Sequence, residues 1–481
     1  MTKTLTQYVC QECGRTSPKF LGRCPGCGGF GTMVEEIKEE LPSLSTRSRA
    51  RIGNSGQLTE STPQRLKDID EKAEPRIATG ISELSQVLGG GIVPGSVILI
   101  GGDPGIGKST LLLQTAMNIA RDHKLLYVSG EESERQIKMR AARLIEAGGK
   151  QEEIPDDLLL LTETSLNHIL HQVREIQPEF LIIDSIQTMQ LDELESTAGS
   201  VTQVRECAGK LRETAKMNNI TVFMIGHVTK EGNIAGPRIL EHIVDTVLYL
   251  EGDRFMSLRL LRSVKNRYGA TSEVGVFEML EEGLVEVKNP SEVFLAERMV
   301  NAPGSAIVVT MEGTRPLLVE IQGLTNPVGL GNPRRTPIGV DINRLFLITA
   351  VLTRRIGIRL GEQDVFVNVV GGMRIAEPAA DLAIAAAIVS SAKNRPIRAD
   401  AVLIGEIGLS GELRGANKIT DRLKEAAKLG FTLAVIPRVS QKTRESFPKN
   451  MEVIEARSLQ EALKAVLLPE ETKESGTRSK E

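Results

Sequence analysis

Residues 97–100 form a short apolar run, residues 102–109 read GDPGIGKS, and residues 110–120 carry apolar side chains at helical spacing. That order commits the local chain to a strand, a glycine-rich turn and a helix. The glycines let backbone N–H groups turn inward around an anion, and the helix that follows aims its N-terminus at the same point. Gly102, Asp103, Pro104, Gly105, Ile106, Gly107, Lys108, Ser109 and Thr110 are therefore read as a loop for the phosphates of ATP. In such a loop Lys108 reaches the β- and γ-phosphates and the Ser109 hydroxyl faces Mg²⁺.

The surrounding residues, 76–286, alternate short apolar runs with helical periodicity, the pattern of a mostly parallel α/β sheet. Strands are expected at 125–129, 180–184, 221–226 and 244–250, with a terminal hairpin at 258–264 and 274–278. Leu166, Ile169, Leu170, Val173 and Ile176 share one helical face, as do Val201, Val204, Ala208, Leu211 and Ala215. Aromatic residues make up 3% of the chain and there is no Trp, so its cores must be aliphatic.

Several polar residues stand where ligands bind in such sheets, at the carboxyl ends of strands. Asp184 ends FLIID and is a candidate for holding Mg²⁺; the alternative is an Asp that caps the next turn. Glu131, in YVSGEES, can orient or deprotonate an attacking water. Glu132 is its rival, and both can instead serve the first turn of the next helix. His227 ends TVFMIGH, where it can sense the γ-phosphate or simply satisfy a strand end. In KNRYG, Lys265 and Arg267 are two apart and point the same way in an extended chain. Two such cations suit a phosphate, or a solvated hairpin tip.

Cysteine placement marks a second site. Four of the five cysteines lie within the first 27 residues, as CxxCG and CPGCG. Cys10, Cys13, Cys24 and Cys27 give the spacing of a structural Zn²⁺ site, with a disulfide or redox pair as the alternative. Lone Cys207 falls on a helix face and reads as packing. The module occupies 1–34, and 35–75 reads as a polar linker. The N-terminus lacks an apolar signal core and no stretch of 18 apolar residues occurs, so a cytoplasmic protein with no membrane contact is expected. The net charge of −3 confines any nucleic-acid contact to local basic patches.

GGDPGIGKST, VSGEES, LIIDSIQT and KNRYG, behind a four-cysteine module, resemble the bacterial DNA-repair family RadA, also called Sms. The resemblance runs from residue 8 to about 467, and its most specific element is KNRYG, where Tyr268 replaces the family's usual Phe. It implies a RecA-like ATPase domain close to the ring-forming replicative helicases. It also implies a homo-hexamer that acts on single-stranded and branched DNA, driving branch migration or unwinding beside a RecA-type recombinase. Lys265 and Arg267 would act across a subunit boundary or on DNA, and residues 232–240 would form a loop near the ring's channel.

Residues 287–468 read as a second α/β unit, and AEPAADLAIAAAIVSSAKNRPIRADAVLIGEIGLSGELRG resembles the peptidase domain of the Lon family. Strands are expected at 306–310, 317–322, 366–370 and 401–404, and helices at 345–355, 379–393 and 421–429. A Lon-type peptidase needs a serine nucleophile and a lysine base. Those positions fall on Ala379 and Thr420; Lys418 has no nucleophile to activate, and Ser390 and Ser391 sit at the far end of the helix. The expected fold is thus an α/β RecA-like P-loop core with a small N-terminal zinc module and a non-proteolytic, Lon-peptidase-like C-terminal domain. Residues 469–481 are expected to be disordered. The competing functions are an ATP-dependent Lon-type protease and a zinc-bearing ATPase that recruits partners without moving DNA.

Overall fold

VILIGG at 97–102 has no polar side chain to turn outward, so it belongs in a sheet covered on both faces. A computed structural model, which describes residues 4–10, 15–39, 65, 76–147, 153–226, 239–252, 258–296, 298–329 and 332–469, places it there. Cys13, His227, most of the 40–75 linker and the tail from 470 lie outside the described residues, as does 232–238 of the expected channel loop.

The N-terminal module is an antiparallel sheet of β1 (Thr4–Cys10), β2 (Thr16–Ser17) and β3 (Met33–Glu39), in the order β2-β1-β3. Pairing of β1 with β3 runs from Thr4 opposite Glu39 to Cys10 opposite Met33. The ladder thus runs to Glu39, past the boundary read at residue 34.

The chain divides into two compact units, one of Met1–Glu251, Leu261–Thr271 and Met279–Val285, the other of Gly252–Leu260, Ser272–Glu278 and Glu286–Glu481. The large sheet contains β4 (Val97–Gly102), β5 (Leu125–Ser129), β6 (Leu158–Thr162), β7 (Phe180–Asp184), β8 (Thr221–Ile225) and β9 (Thr246–Glu251). It continues through β10 (Leu258–Asn266), β11 (Val274–Leu280) and β12 (Gly283–Glu286). The order is β12-β11-β10-β9-β4-β8-β7-β5-β6, with β9, β4, β8, β7, β5 and β6 mutually parallel. The phosphate-loop strand β4 is thus central, and one strand, β8, separates it from β7. The hairpin read as wholly part of 76–286 is shared: the outer parts of β10 and β11 belong to the second unit.

Helices α1 (Ser82–Val87), α2 (Lys108–Ile119), α3 (Glu134–Ala147), α4 (Leu166–Ile176), α5 (Val201–Asn218) and α6 (Ile239–Ile243) accompany these strands. The faces read from periodicity are the buried ones, since Leu166, Ile169, Val173, Val204, Ala208, Leu211 and Ala215 share a core with Val97, Leu99, Val222 and Met224. Cys207 is in that core, and burial pushes its thiol up to about 12, which keeps it inert.

In the second unit, β13 (Ser305–Glu312), β14 (Arg315–Pro327), β15 (Arg335–Ile338), β16 (Gln363–Val369) and β17 (Ala401–Leu403) build most of a seven-stranded sheet. A small ladder of β18 (Glu406–Ile407) and β19 (Leu413–Arg414) follows, and β20 (Leu433–Pro437) and β21 (Glu452–Ala456) complete the large one, in the order β15-β16-β14-β13-β17-β20-β21. The helices are α7 (Pro290–Leu295), α8 (Ile342–Val351), α9 (Asp381–Lys393), α10 (Ile419–Lys428), α11 (Gln441–Arg444) and α12 (Leu459–Val466). Helix α9, DLAIAAAIVSSAK, is apolar nearly all round and is accordingly the central buried helix.

The two positions where a Lon-type dyad would stand carry no such chemistry. Ala379 is buried, and the Thr420 hydroxyl is 2.8 Å from that of Ser446. Two residues away from each, Glu377 and Arg422 form an ion pair. Arg422 is 0% exposed, donates to both Glu377 carboxylate oxygens, and also donates to the Val309 carbonyl at 2.6 Å. Glu377 accepts further from Thr310 Oγ1 at 3.1 Å and the Met311 N–H at 3.0 Å. The segments that hold Ala379 and Thr420 are therefore fastened together by a structural pair rather than by catalytic groups. No helix among the described residues is long and apolar enough to cross a membrane.

Candidate active site and metal centre

The phosphate loop leaves the carboxyl end of β4. Gly102 has φ +151°, and a Cβ there would lie 2.5 Å from the Leu250 carbonyl oxygen, so only glycine lets the loop start against β9. Helix α2 begins at Lys108, at the loop's end. Lys108 is 4% exposed and donates from Nζ to the carbonyls of Gly102 at 2.8 Å and Asp103 at 2.9 Å. Burial pulls its pKa down, against the opposing charges of Asp184, Asp103 and Glu131. A buried cation whose hydrogen-bond acceptors among the described residues are carbonyls can exchange them for phosphate oxygens, with a gain in Coulomb energy.

Asp184 ends β7 and is 6% exposed. It accepts from Tyr127 Oη at 2.7 Å and from the Ser109 hydroxyl. Burial pushes its carboxyl up, and these two hydrogen bonds pull it back toward the ionised form. Ser109 and Asp184 are thus adjacent oxygen donors, one a hydroxyl and one a carboxylate, beside the phosphate loop. That donor set fits Mg²⁺, which takes one or two protein oxygens and completes its shell with phosphate and water.

The two glutamates after β5 differ in their surroundings. Glu131 accepts from Ser185 Oγ at 2.5 Å, and its charge acts on Lys108. Glu132 is ion-paired with Arg140 of α3. Glu131 is therefore the carboxylate turned toward the phosphate loop. Sequence reasoning missed Tyr127 and Ser185. The available signal for the first was a tyrosine inside the aliphatic strand LLYVS.

Lys265 and Arg267 lie elsewhere. Lys265 Nζ donates to the carbonyls of Glu241 at 2.5 Å and Val244 at 2.8 Å, closing the end of α6, and its pKa is lowered by burial and by Arg267. Arg267 is 47% exposed and donates to Asp245 Oδ1 at 3.2 Å. The buried Asp245 also accepts from Lys216 Nζ at 2.9 Å and the Val97 N–H at 3.1 Å. Burial alone would raise the Asp245 carboxyl; these donors outweigh it and hold the group below its ordinary value. Val97 begins β4 and Gly102 ends it. At about 3.3 Å per residue, the length of β4 separates this end from the loop by about 17 Å, so the cations lie at the amino end of the parallel strands.

In the N-terminal module the sulfurs of Cys10, Cys24 and Cys27 all lie within 4.8 Å of one another, with Cys10 and Cys27 3.6 Å apart. A tetrahedron with Zn–S bonds of about 2.3 Å has edges of about 3.8 Å, so this spacing fits a metal corner and not a disulfide. Gly28, at φ +78°, makes the turn after Cys27, and the Gly26 N–H donates to Cys24 Sγ at 3.3 Å. Replacing Cys10 and Cys24 by Ser is expected to drop zinc from about one equivalent per chain to near zero and to unfold the module. Metal analysis of purified protein checks this, and full retention would refute the site.

Comparison with known proteins agrees with this arrangement. Residues 77–292 match the family described as KaiC, an ATPase; residues 8–35 match a rubredoxin metal-binding domain; and residues 347–440 match subunit ChlI of Mg-chelatase. The chain is 49% identical over 466 residues to the DNA repair protein RadA of Streptococcus pyogenes serotype M6, covering 97% of this chain and 100% of that one. The same protein of Bacillus subtilis strain 168 is 49% identical over 468 residues, again covering 97% and 100%. That of Listeria monocytogenes serovar 1/2a is 48% identical over 466 residues, covering 97% and 99%. With an ATPase core, a zinc-ribbon module and a ChlI/Lon-like C-terminal domain in one α/β chain, and such identity along its length, the chain belongs to the RadA family of DNA-repair ATPases.

Proposed function

We propose that this protein is a DNA-dependent ATPase of homologous recombination. It binds single-stranded and branched DNA and drives branch migration or unwinding, as a cytoplasmic homo-hexamer working beside a RecA-type recombinase. One observation carries the reading: Arg267 is bonded to Asp245 beside Val97, at the start of β4, one strand length of about 17 Å before the phosphate loop of the same chain. A site that needs them must take them from a neighbouring subunit, or they serve a phosphate of DNA.

The roles follow from position. Lys108 neutralises charge on the β- and γ-phosphates while the loop's N–H groups hold them. Ser109 and Asp184 hold Mg²⁺, which supplies charge neutralisation at the transferring phosphate. Glu131, steadied by Ser185, orients the attacking water. His227 reports the γ-phosphate to the residues that follow it. Arg267 supplies a cation across the subunit boundary or to DNA, with Lys265 beside it. Cys10, Cys13, Cys24 and Cys27 hold Zn²⁺. The C-terminal unit is a scaffold without peptidase chemistry, since Ala379 and Thr420 offer neither nucleophile nor base.

The test is the ATPase rate of the pure protein with and without single-stranded and forked DNA, read beside its mass by light scattering. The expected result is stimulation of at least several-fold that fades as salt rises, because phosphate contacts release counterions. A rate indifferent to saturating DNA at low salt would overturn the proposal.

A further inference from the structure

Tyr127 is one of only four tyrosines in the chain. It lies in β5, among Leu125, Leu126 and Val128, and is 2% exposed. Packing in that aliphatic layer calls for no hydroxyl, and burying one is costly without an acceptor. The acceptor is Asp184, with Tyr127 Oη at 2.7 Å from Oδ2. Register explains the meeting. Strands β5 and β7 are parallel, with Tyr127 opposite Ile182 and Ser129 opposite Asp184. Side chains two residues apart share a face, and a phenol spans the two-residue rise of about 6.6 Å. Tyr127 therefore delivers its hydroxyl, from below, to the carboxylate at the top of the neighbouring strand.

We propose that Tyr127 is a positioning residue for the metal-binding carboxylate: by occupying Oδ2, it fixes Asp184 in one orientation toward Ser109 and the Mg²⁺ those two residues hold. This rests on the reading of Asp184 as the magnesium acid. The geometry supports it: Ser109 already bonds Asp184, so the carboxylate stands between the loop hydroxyl and the phenol. In the phosphate-loop motif nothing specifies this residue; its value comes from the pairing of β5 with β7.

The experiment uses the full-length protein and a fluorescent ADP analogue. Binding is titrated with Mn²⁺ as the metal probe, and free Mn²⁺ is counted by electron paramagnetic resonance. Tyr127→Phe keeps the ring and removes the hydroxyl. The metal concentration for half-saturation is expected to rise about ten-fold, the size of one lost hydrogen bond to a charged group, with metal-free ADP binding unchanged. In an Asp184→Asn background the same substitution should add little, because the two act through one contact. Tyr127→Leu, a second variant without the hydroxyl, should shift the metal requirement the same way. A lowered melting temperature with an unchanged metal requirement, or a shift in one variant only, assigns the phenol to packing and overturns the proposal. Wild-type binding that ignores metal, or is untouched by Asp184→Asn, would instead remove the magnesium reading itself.

Discussion

Lys108→Ala should hydrolyse no measurable ATP while folding as well as the wild type. In the structure this ammonium is buried and donates to the carbonyls of Gly102 and Asp103. In the proposed role it is the positive charge that meets the charge building on the transferring phosphate. Removing one preorganised donor of that kind typically costs 10²–10³ in rate, about 2.7–4 kcal/mol, and here a full charge is lost as well. Stability should hold for a separate reason. Burial already disfavours the Lys108 ammonium, as its lowered pKa records, so truncation removes a desolvation cost along with two hydrogen bonds. Phosphate-release kinetics beside a melting curve will check both halves. Undiminished turnover would refute the phosphate loop.

Arg267→Ala should abolish ATPase activity in assemblies of the variant alone, and a mixture with Lys108→Ala should recover part of it. If Arg267 acts across a subunit boundary as proposed, neither variant alone has a complete site. In a mixed ring, however, an intact loop from an Arg267→Ala subunit can face an intact Arg267 from a Lys108→Ala subunit. A cation supplied across a boundary in this way is worth about 10³–10⁵ in rate in phosphoryl transfer. Folding should survive, because Asp245 keeps Lys216 and the Val97 N–H after Arg267 is gone. The competing role has its own signature: if Arg267 binds DNA, mixing rescues nothing and the salt dependence of DNA binding flattens by about one ion. Activity measured across mixing ratios, with binding measured across salt, separates the two.

The contrast between Lys108 and Tyr127 shows what the sequence makes legible. Lys108 and Ser109 are fixed by a local motif, and Asp184 by the end of an apolar strand, so each can be read from a few neighbours. The strands at 125–129 and 180–184 were readable to the residue, being buried on both faces and bounded by polar groups. Tyr127 and Ser185 depend on which strand lies beside which, and no local spacing encodes that. Strand β6, LLLLT, was missed because a run of leucines lacks the β-branched residues that separate strand from helix. The edge strand β21, EVIEA, was missed for its exposure, since only Ala456 is buried. Arg140 on the next helix, which pairs with Glu132 and sets it apart from Glu131, is likewise outside what local spacing encodes.

The shared hairpin bears on how this chain can be divided. Leu258, Leu260, Val274 and Val276 lie in one core with Val308, Val319 and Val367, while β10 and β11 extend the nine-stranded sheet. A gene cut at residue 286 would therefore divide the core of the second unit, parting those four side chains from Val308, Val319 and Val367. Inheritance faces the same obstacle as cloning: the segments cannot be exchanged like beads on a string. The absence of a dyad at Ala379 and Thr420 therefore does not make the residues after 286 removable without cost, because Leu258, Leu260, Val274 and Val276 have their core partners there.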